Sequence, residues 1–324
     1  MQHRAAFPME EWIWGRRDQP LPAARAVGSR PTNLERGEFS TGRQALTARD
    51  LAFRMSEPHF AVAVTFSPRF RAVVAEADRI ARRFGARLSV LHAGERSDEK
   101  LARFQEAFSE LGRDEVDIYW CEGDTPAGAL VDAAASEYFD LLIAGALDGS
   151  NEHRNFTGDV VRELLQRAPC DLLLIPTPCA EDSGNKPTAC LMTEAHRPRW
   201  QFARAVLASI TPASISILAA DSPFAHAREA ALGQEQDHSA LDDLCEALEE
   251  IAEDVDLRMV ESNTGFTLCD IVQQTAPDFL IVEAEWKDRR RILPPHLDWL
   301  NQVIPARLFL LGKPPRTDAE TVEL

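Results

Sequence analysis

The chain has 324 residues, 45% of them apolar, enough for two ordinary hydrophobic cores, so its length predicts two globular domains rather than one. Its 52 acidic against 35 basic side chains leave a formal charge of −17, and so acidic a body repels nucleic-acid backbones and anionic lipid, which argues against both as partners. No apolar run approaches the ~20 residues that span a bilayer, so no membrane insertion is expected.

Residues 1–58 form an N-terminal extension unlike the rest. It has nine arginines, no lysine and seven acids, with prolines at 8, 20, 22 and 31 and no sustained periodicity, which predicts a largely disordered segment. Within it Trp12, Ile13 and Trp14 stand beside Arg16 and Arg17. Tryptophan and arginine carry binding energy at interfaces, so this peptide is the candidate partner-binding motif. Thr47 and Asp50 give a weak capping signature for a short helix near 47–55. The start of the chain offers no apolar core of signal-peptide length, since Glu10, Glu11, Arg16 and Arg17 flank its only hydrophobic spot; a cytoplasmic location is expected.

Regular patterning begins at 59. FAVAV (60–64) reads as a buried strand, and Ser67 and Pro68 supply an N-cap and a first-turn proline for a helix whose stripe is Phe70, Val73, Val74, Ala77, Ile80 and Phe84, stopped by Gly85. The strand RLSVLHA, a polar helix (97–112), the strand VDIYWCE, the helix TPAGALVDAAASEY, the strand FDLLIAGAL, the helix GDVVRELLQRA and the strand DLLLIP follow. Strands alternating with helices predict βαβ units, and strands apolar on both faces predict helices on both sides of a parallel sheet.

The connector 177–187 is rich in turn formers, and residues 188–312 repeat the order. ACLMT precedes a helix around WQFARAVLASI, the strand SISILAA, a helix carrying Leu241, Leu244, Cys245, Leu248 and Ile251 behind Ser239, the strand VDLRMV, the helix TLCDIVQQT, the strand DFLIVEA, a short helix LDWLNQV and the strand ARLFLL. Each copy has apolar residues enough for its own core. Residues 313–324 read as a tail. The expected architecture is α/β: two tandem, doubly wound, five-stranded parallel-sheet domains, 59–178 and 188–312.

The first copy combines this element order with AVAV at its start, GDTP before the third helix, Gly145 and Gly158 thirteen apart, and RAPCDLLLIP at its end. In these features it resembles the universal stress protein family. The likeness covers 59–178; residues 188–312 share the topology but few motif residues. The resemblance implies that the halves pair like a family dimer. It also implies a nucleotide site: in ATP-binding members the loop after strand four carries Gly-x-x-Gly, nine residues, then Gly followed by Ser or Thr, and an acid ends strand one against the nucleoside.

Such a loop closes backbone N–H groups on phosphate oxygens, with the helix N-terminus adding partial positive charge. Transferred to this sequence, the site residues are Thr65, Gly145, Gly149, Gly158 and Asp159, and three of the features are altered. Asp148 holds the middle glycine's place, with Gly149 one residue late; Asp159 replaces the hydroxyl residue; Thr65 replaces the strand-one acid, as Thr193 does in the second copy. A carboxylate ~4 Å from a phosphate charge costs roughly 4 kcal/mol at an effective dielectric near 20, about a thousandfold in affinity. Asp159 can instead satisfy the helix's free N–H groups itself. His153 and Arg154 offset these acids, and an aspartate can hold Mg²⁺, so ATP with Mg²⁺ stays open as an alternative cofactor.

The second copy reads EAEWKDRRRILPPH at the corresponding loop, with Glu283 in place of Gly145. Its basic cluster, Lys287, Arg289, Arg290 and Arg291, is read as an exposed loop answering Glu283 and Glu285, with an anion site as the alternative. Adenylylation, P-loop and GxSxG motifs are missing, and the cysteines (Cys121, Cys170, Cys179, Cys190, Cys245, Cys269) have no CxxC or metal-ligand spacing. His92, His296 and Cys121 are read as structural. The expectation is a non-enzymatic regulatory or scaffold protein of the stress response, acting on a protein partner or by self-association as an oligomer, with an eroded nucleotide site. The alternatives are an ATP-binding sensor using the first copy and an adaptor tethered through its first seventeen residues.

Overall fold

The computed structural model describes residues 57–113, 115–146, 158–178, 185–196, 198–221, 239–261 and 265–312. All of these lie in one compact unit, Arg49–Leu324; a separate unit, Met1–Ala48, lies outside the described residues, and with it Trp12, Ile13, Trp14, Arg16 and Arg17. The short helix expected near 47–55 and the tail 313–324 are outside them too.

In the first copy β1 (His59–Ala63), β2 (Arg87–Ala93), β3 (Ile118–Cys121), β4 (Leu141–Gly145) and β5 (Asp171–Ile175) alternate with α1 (Phe70–Arg83), α2 (Asp98–Glu110), α3 (Pro126–Ser136) and α4 (Asp159–Arg167). Ser97 and Thr125 cap α2 and α3, their hydroxyls accepting from the backbone N–H of Lys100 (3.3 Å) and Gly128 (3.0 Å). The start of α1 departs from expectation. Arg69, not Ser67, holds the N-cap, because Ser67 and Pro68 are spent in a preceding turn in which the Phe70 N–H donates to the Ser67 carbonyl at 3.0 Å.

The second copy contributes β6 (Thr188–Glu194), α5 (Gln201–Ile210), β7 (Ser214–Asp221), α6 (Ser239–Glu249), β8 (Asp254–Glu261), α7 (Phe266–Thr275), β9 (Phe279–Glu283) and β12 (Arg307–Leu311). Two features were not expected. The basic stretch forms a hairpin of β10 (Glu285–Lys287) and β11 (Arg290–Ile292), turning at Asp288 and Arg289 with φ of +51° and +59°. The last short helix is a 3-10 helix, Pro295–Asn301, which follows Pro294 and buries Leu297, Trp299 and Leu300.

The strands form one ten-stranded sheet in the order β3-β2-β1-β4-β5-β12-β9-β6-β7-β8. All neighbours are parallel except β5 and β12, the last strand of each copy, which run antiparallel with Leu174, Leu173 and Leu172 opposite Leu308, Phe309 and Leu310. Each half keeps its own parallel sheet, but the core is not divided at the junction. One apolar layer under α1, α2, α5 and α6, and another under α3, α4, α7 and the 3-10 helix, run continuously across both halves. At this junction buried Glu76 on α1 meets Arg307 Nε of β12 at 2.9 Å, and the Gly312 N–H donates to Asp171 Oδ1 at 3.0 Å.

Candidate functional site at the strand ends

In each copy the sheet order reverses direction between the first and fourth strands, and such switch points are where open α/β sheets form their ligand crevice. In the first copy these strands are β1 and β4, with Ala63 beside Ala144. Thr65 stands exposed just beyond β1, and Gly145 ends β4. Among the described residues a Cβ at Gly145 meets only Val73 Cγ2, at 3.5 Å, an ordinary contact. Gly145→Ala is therefore expected to change the unfolding free energy by less than about 1 kcal/mol in a urea melt.

Across the loop Gly158 is the N-cap of α4 and makes no side-chain capping bond. Asp159, expected to cap this helix, does not: it occupies the first helical position, its side chain is 96% exposed, and it pairs with Arg162 at 3.4 Å. Gly149 lies outside the described residues, as do Asp148, His153 and Arg154.

Next to Thr65, Phe66 packs against Phe70, His92 and Phe104, with the Arg103 guanidinium 4.3 Å above its ring. His92 is buried, its Nδ1 3.0 Å from the Val64 carbonyl, and burial lowers its pKa. Cys121 is buried as well, and loss of hydration pushes its thiol up to about 11, leaving no thiolate nucleophile at neutral pH. Among the described residues no group of three His, Cys, Asp or Glu side chains stands at metal-holding distance.

The second copy is built differently at the same place. Glu283, which ends β9, is buried, and its Oε1 accepts the backbone N–H of Phe202 (2.7 Å) and Ala203 (2.8 Å) in the first turn of α5. A side chain from a neighbouring strand thus supplies the cap that Trp200, at the N-cap position, does not. Burial raises the pKa of Glu283, opposed by these two N–H donors. Thr193, also buried, accepts the Arg199 N–H at 2.8 Å and shapes the turn into the helix; the Arg199 side chain pairs with Glu285.

The exposed-loop reading of the basic cluster is corrected for one member. Lys287, Arg289 and Arg290 are exposed, but Arg291 is 4% exposed and reaches into the first copy. Its guanidinium donates to the carbonyls of Leu165 (3.3 Å), Ala168 (3.4 Å) and Cys170 (2.6 Å), around the C-terminal end of α4. Glu283 likewise is an internal cap rather than a solvated partner for these cations. Both roles escaped sequence reasoning. The alternation RRI, with the middle arginine on the face opposite its neighbours, was the only available signal for Arg291.

No protein-family model matches the chain, and no curated protein matches it in sequence. Solved structures do. A functionally unknown protein from Pseudomonas aeruginosa PAO1 superimposes with a TM-score of 0.59 at 12% identity, over 81% of this chain and 94% of its own. A protein from P. aeruginosa UCBPP-PA14 assigned to the universal stress proteins gives 0.58 at 13%, over 81% and 95%. A universal stress protein from Archaeoglobus fulgidus gives 0.59 at 11%, over 79% and 98%. At these identities the likeness is one of architecture: the chain has the universal stress protein fold.

Proposed function

We propose that this chain is a non-enzymatic regulatory or scaffold protein of the stress response, working in the cytoplasm through its surfaces and by self-association, with its nucleotide sites eroded. The observation that carries this reading is Glu283. Its carboxylate occupies the crevice end of β9 and binds the helix start that faces it. The second copy thereby fills its own strand-end crevice with a negative charge, and an incoming phosphate meets that charge at close range. In the first copy Thr65 offers no carboxylate to a nucleoside, and Asp159 stands in place of a residue whose hydroxyl would donate.

A second reading, ATP with Mg²⁺ held by the first copy, has one observation in its favour. Among the described residues, the start of α4 carries no side-chain cap. Isothermal titration of the full chain with ATP and Mg²⁺ separates the two. The expected outcome is no heat at micromolar nucleotide; micromolar binding that disappears in Gly158→Trp reverses the ranking. The adaptor reading rests on Trp12, Ile13, Trp14, Arg16 and Arg17 alone, and unchanged co-purifying partners after deletion of the first seventeen residues would count against it.

A further inference from the structure

Two patches of opposite charge have no partner among the described residues. On the hairpin, Lys287, Arg289 and Arg290 are exposed and form no ion pair among the described residues, and Ile292 beside them is 43% exposed. The hairpin is held from below by Arg291, so its cations project from an anchored ribbon. At the far end of the sheet, Asp242, Asp243, Glu246 and Glu249 on α6 and Glu253 and Asp254 at the start of β8 are exposed, again without an ion pair among the described residues. β8 is the last strand of the sheet, with no strand beyond it among the described residues, and Met259 on it is 44% exposed.

The patches cannot meet in one molecule. Arg291 fixes the hairpin to α4, which covers one face of the sheet, whereas α6 covers the other, with Leu241, Leu244 and Leu248 in the opposite apolar layer. We infer that the chain associates with further copies of itself head to tail, the basic hairpin of one copy docking on the acidic α6–β8 edge of the next. Charge complementarity selects this occupant: the cationic ribbon of one copy meets a counter-surface of six exposed carboxylates on the next. Because the two surfaces differ, the contact is heterologous and need not stop at two copies.

This inference rests on the surface-acting, self-associating part of the proposed function. Sedimentation velocity of the full chain over a range of concentrations tests it at about 0.02 M and about 0.5 M salt, between which the screening length falls from roughly 20 Å to roughly 4 Å. At low salt the weight-average mass should exceed that of one chain by about twofold or more and rise with concentration, returning to one chain at high salt. K287E/R289E/R290E and D242K/D243K/E246K should each abolish the low-salt association, and an equimolar mixture of the two should restore it. A single-chain mass at low salt across the whole range overturns the inference, as does association that survives in both reversal variants. Micromolar ATP binding in the titration above would remove the eroded-site reading while leaving this result standing.

Discussion

Replacing Arg291 by alanine is expected to lower the unfolding free energy by about 3–5 kcal/mol, read as a lower urea midpoint. The side chain carries a buried charge with no carboxylate partner at ion-pair distance among the described residues; three backbone carbonyls around the end of α4 take its place. Those oxygens belong to the region where a helix leaves its acceptors unsatisfied and its dipole is negative, so a cation there gains twice. Burial lowers the guanidinium's pKa, but from a starting value high enough that it keeps its proton. Alanine removes the donors and leaves the carbonyls of Leu165, Ala168 and Cys170 buried without them, each omission costing about 1–3 kcal/mol. Arg291→Lys should recover less than half of the loss, since one ammonium cannot span three acceptors, and amide exchange should quicken first at the α4–β5 junction. A midpoint unchanged within about 0.5 kcal/mol would show that the hairpin does not brace the two halves.

The periodic parts of this fold were legible in the sequence because burial imposes period. The stripe Phe70, Val73, Val74, Ala77 and Ile80 and the run DLLLI both answer to a local apolar environment, and each element formed where its pattern lay. What was not legible depends on residues distant in sequence. Arg291 lies more than 120 positions from the carbonyls it binds, and Glu283 about 80 from the N–H groups it caps. Charged side chains are assigned to solvent by default, and only the antiparallel joining of β5 to β12 brings the hairpin against α4. The family pattern pointed to the ends of β1 and β4 but offered no means of seeing that Glu283 of the second copy caps the start of α5.

That cap gives the second large effect, and its pH dependence identifies the cause. Glu283→Ala leaves the N–H groups of Phe202 and Ala203 at a buried helix start without an acceptor, an expected loss of about 2–3 kcal/mol at neutral pH. Glu283→Gln keeps an acceptor oxygen and removes the charge, and should be at least as stable as the parent there. The sign follows from linkage. Burial raises the folded-state pKa of Glu283 above the unfolded glutamate value, so its favourable contribution is complete below the unfolded pKa and is lost as pH rises through the raised one. Unfolding free energies measured by urea from acid to neutral pH should therefore show the parent losing ground to Glu283→Gln across that window, with no such divergence on the acid side of it. Sulfate, able to sit at the vacated start of α5, should restore part of the alanine variant's stability and leave the parent unmoved. An alanine variant as stable as the parent, or one indifferent to sulfate, would mean that Glu283 neither caps the helix nor denies the crevice to an outside anion.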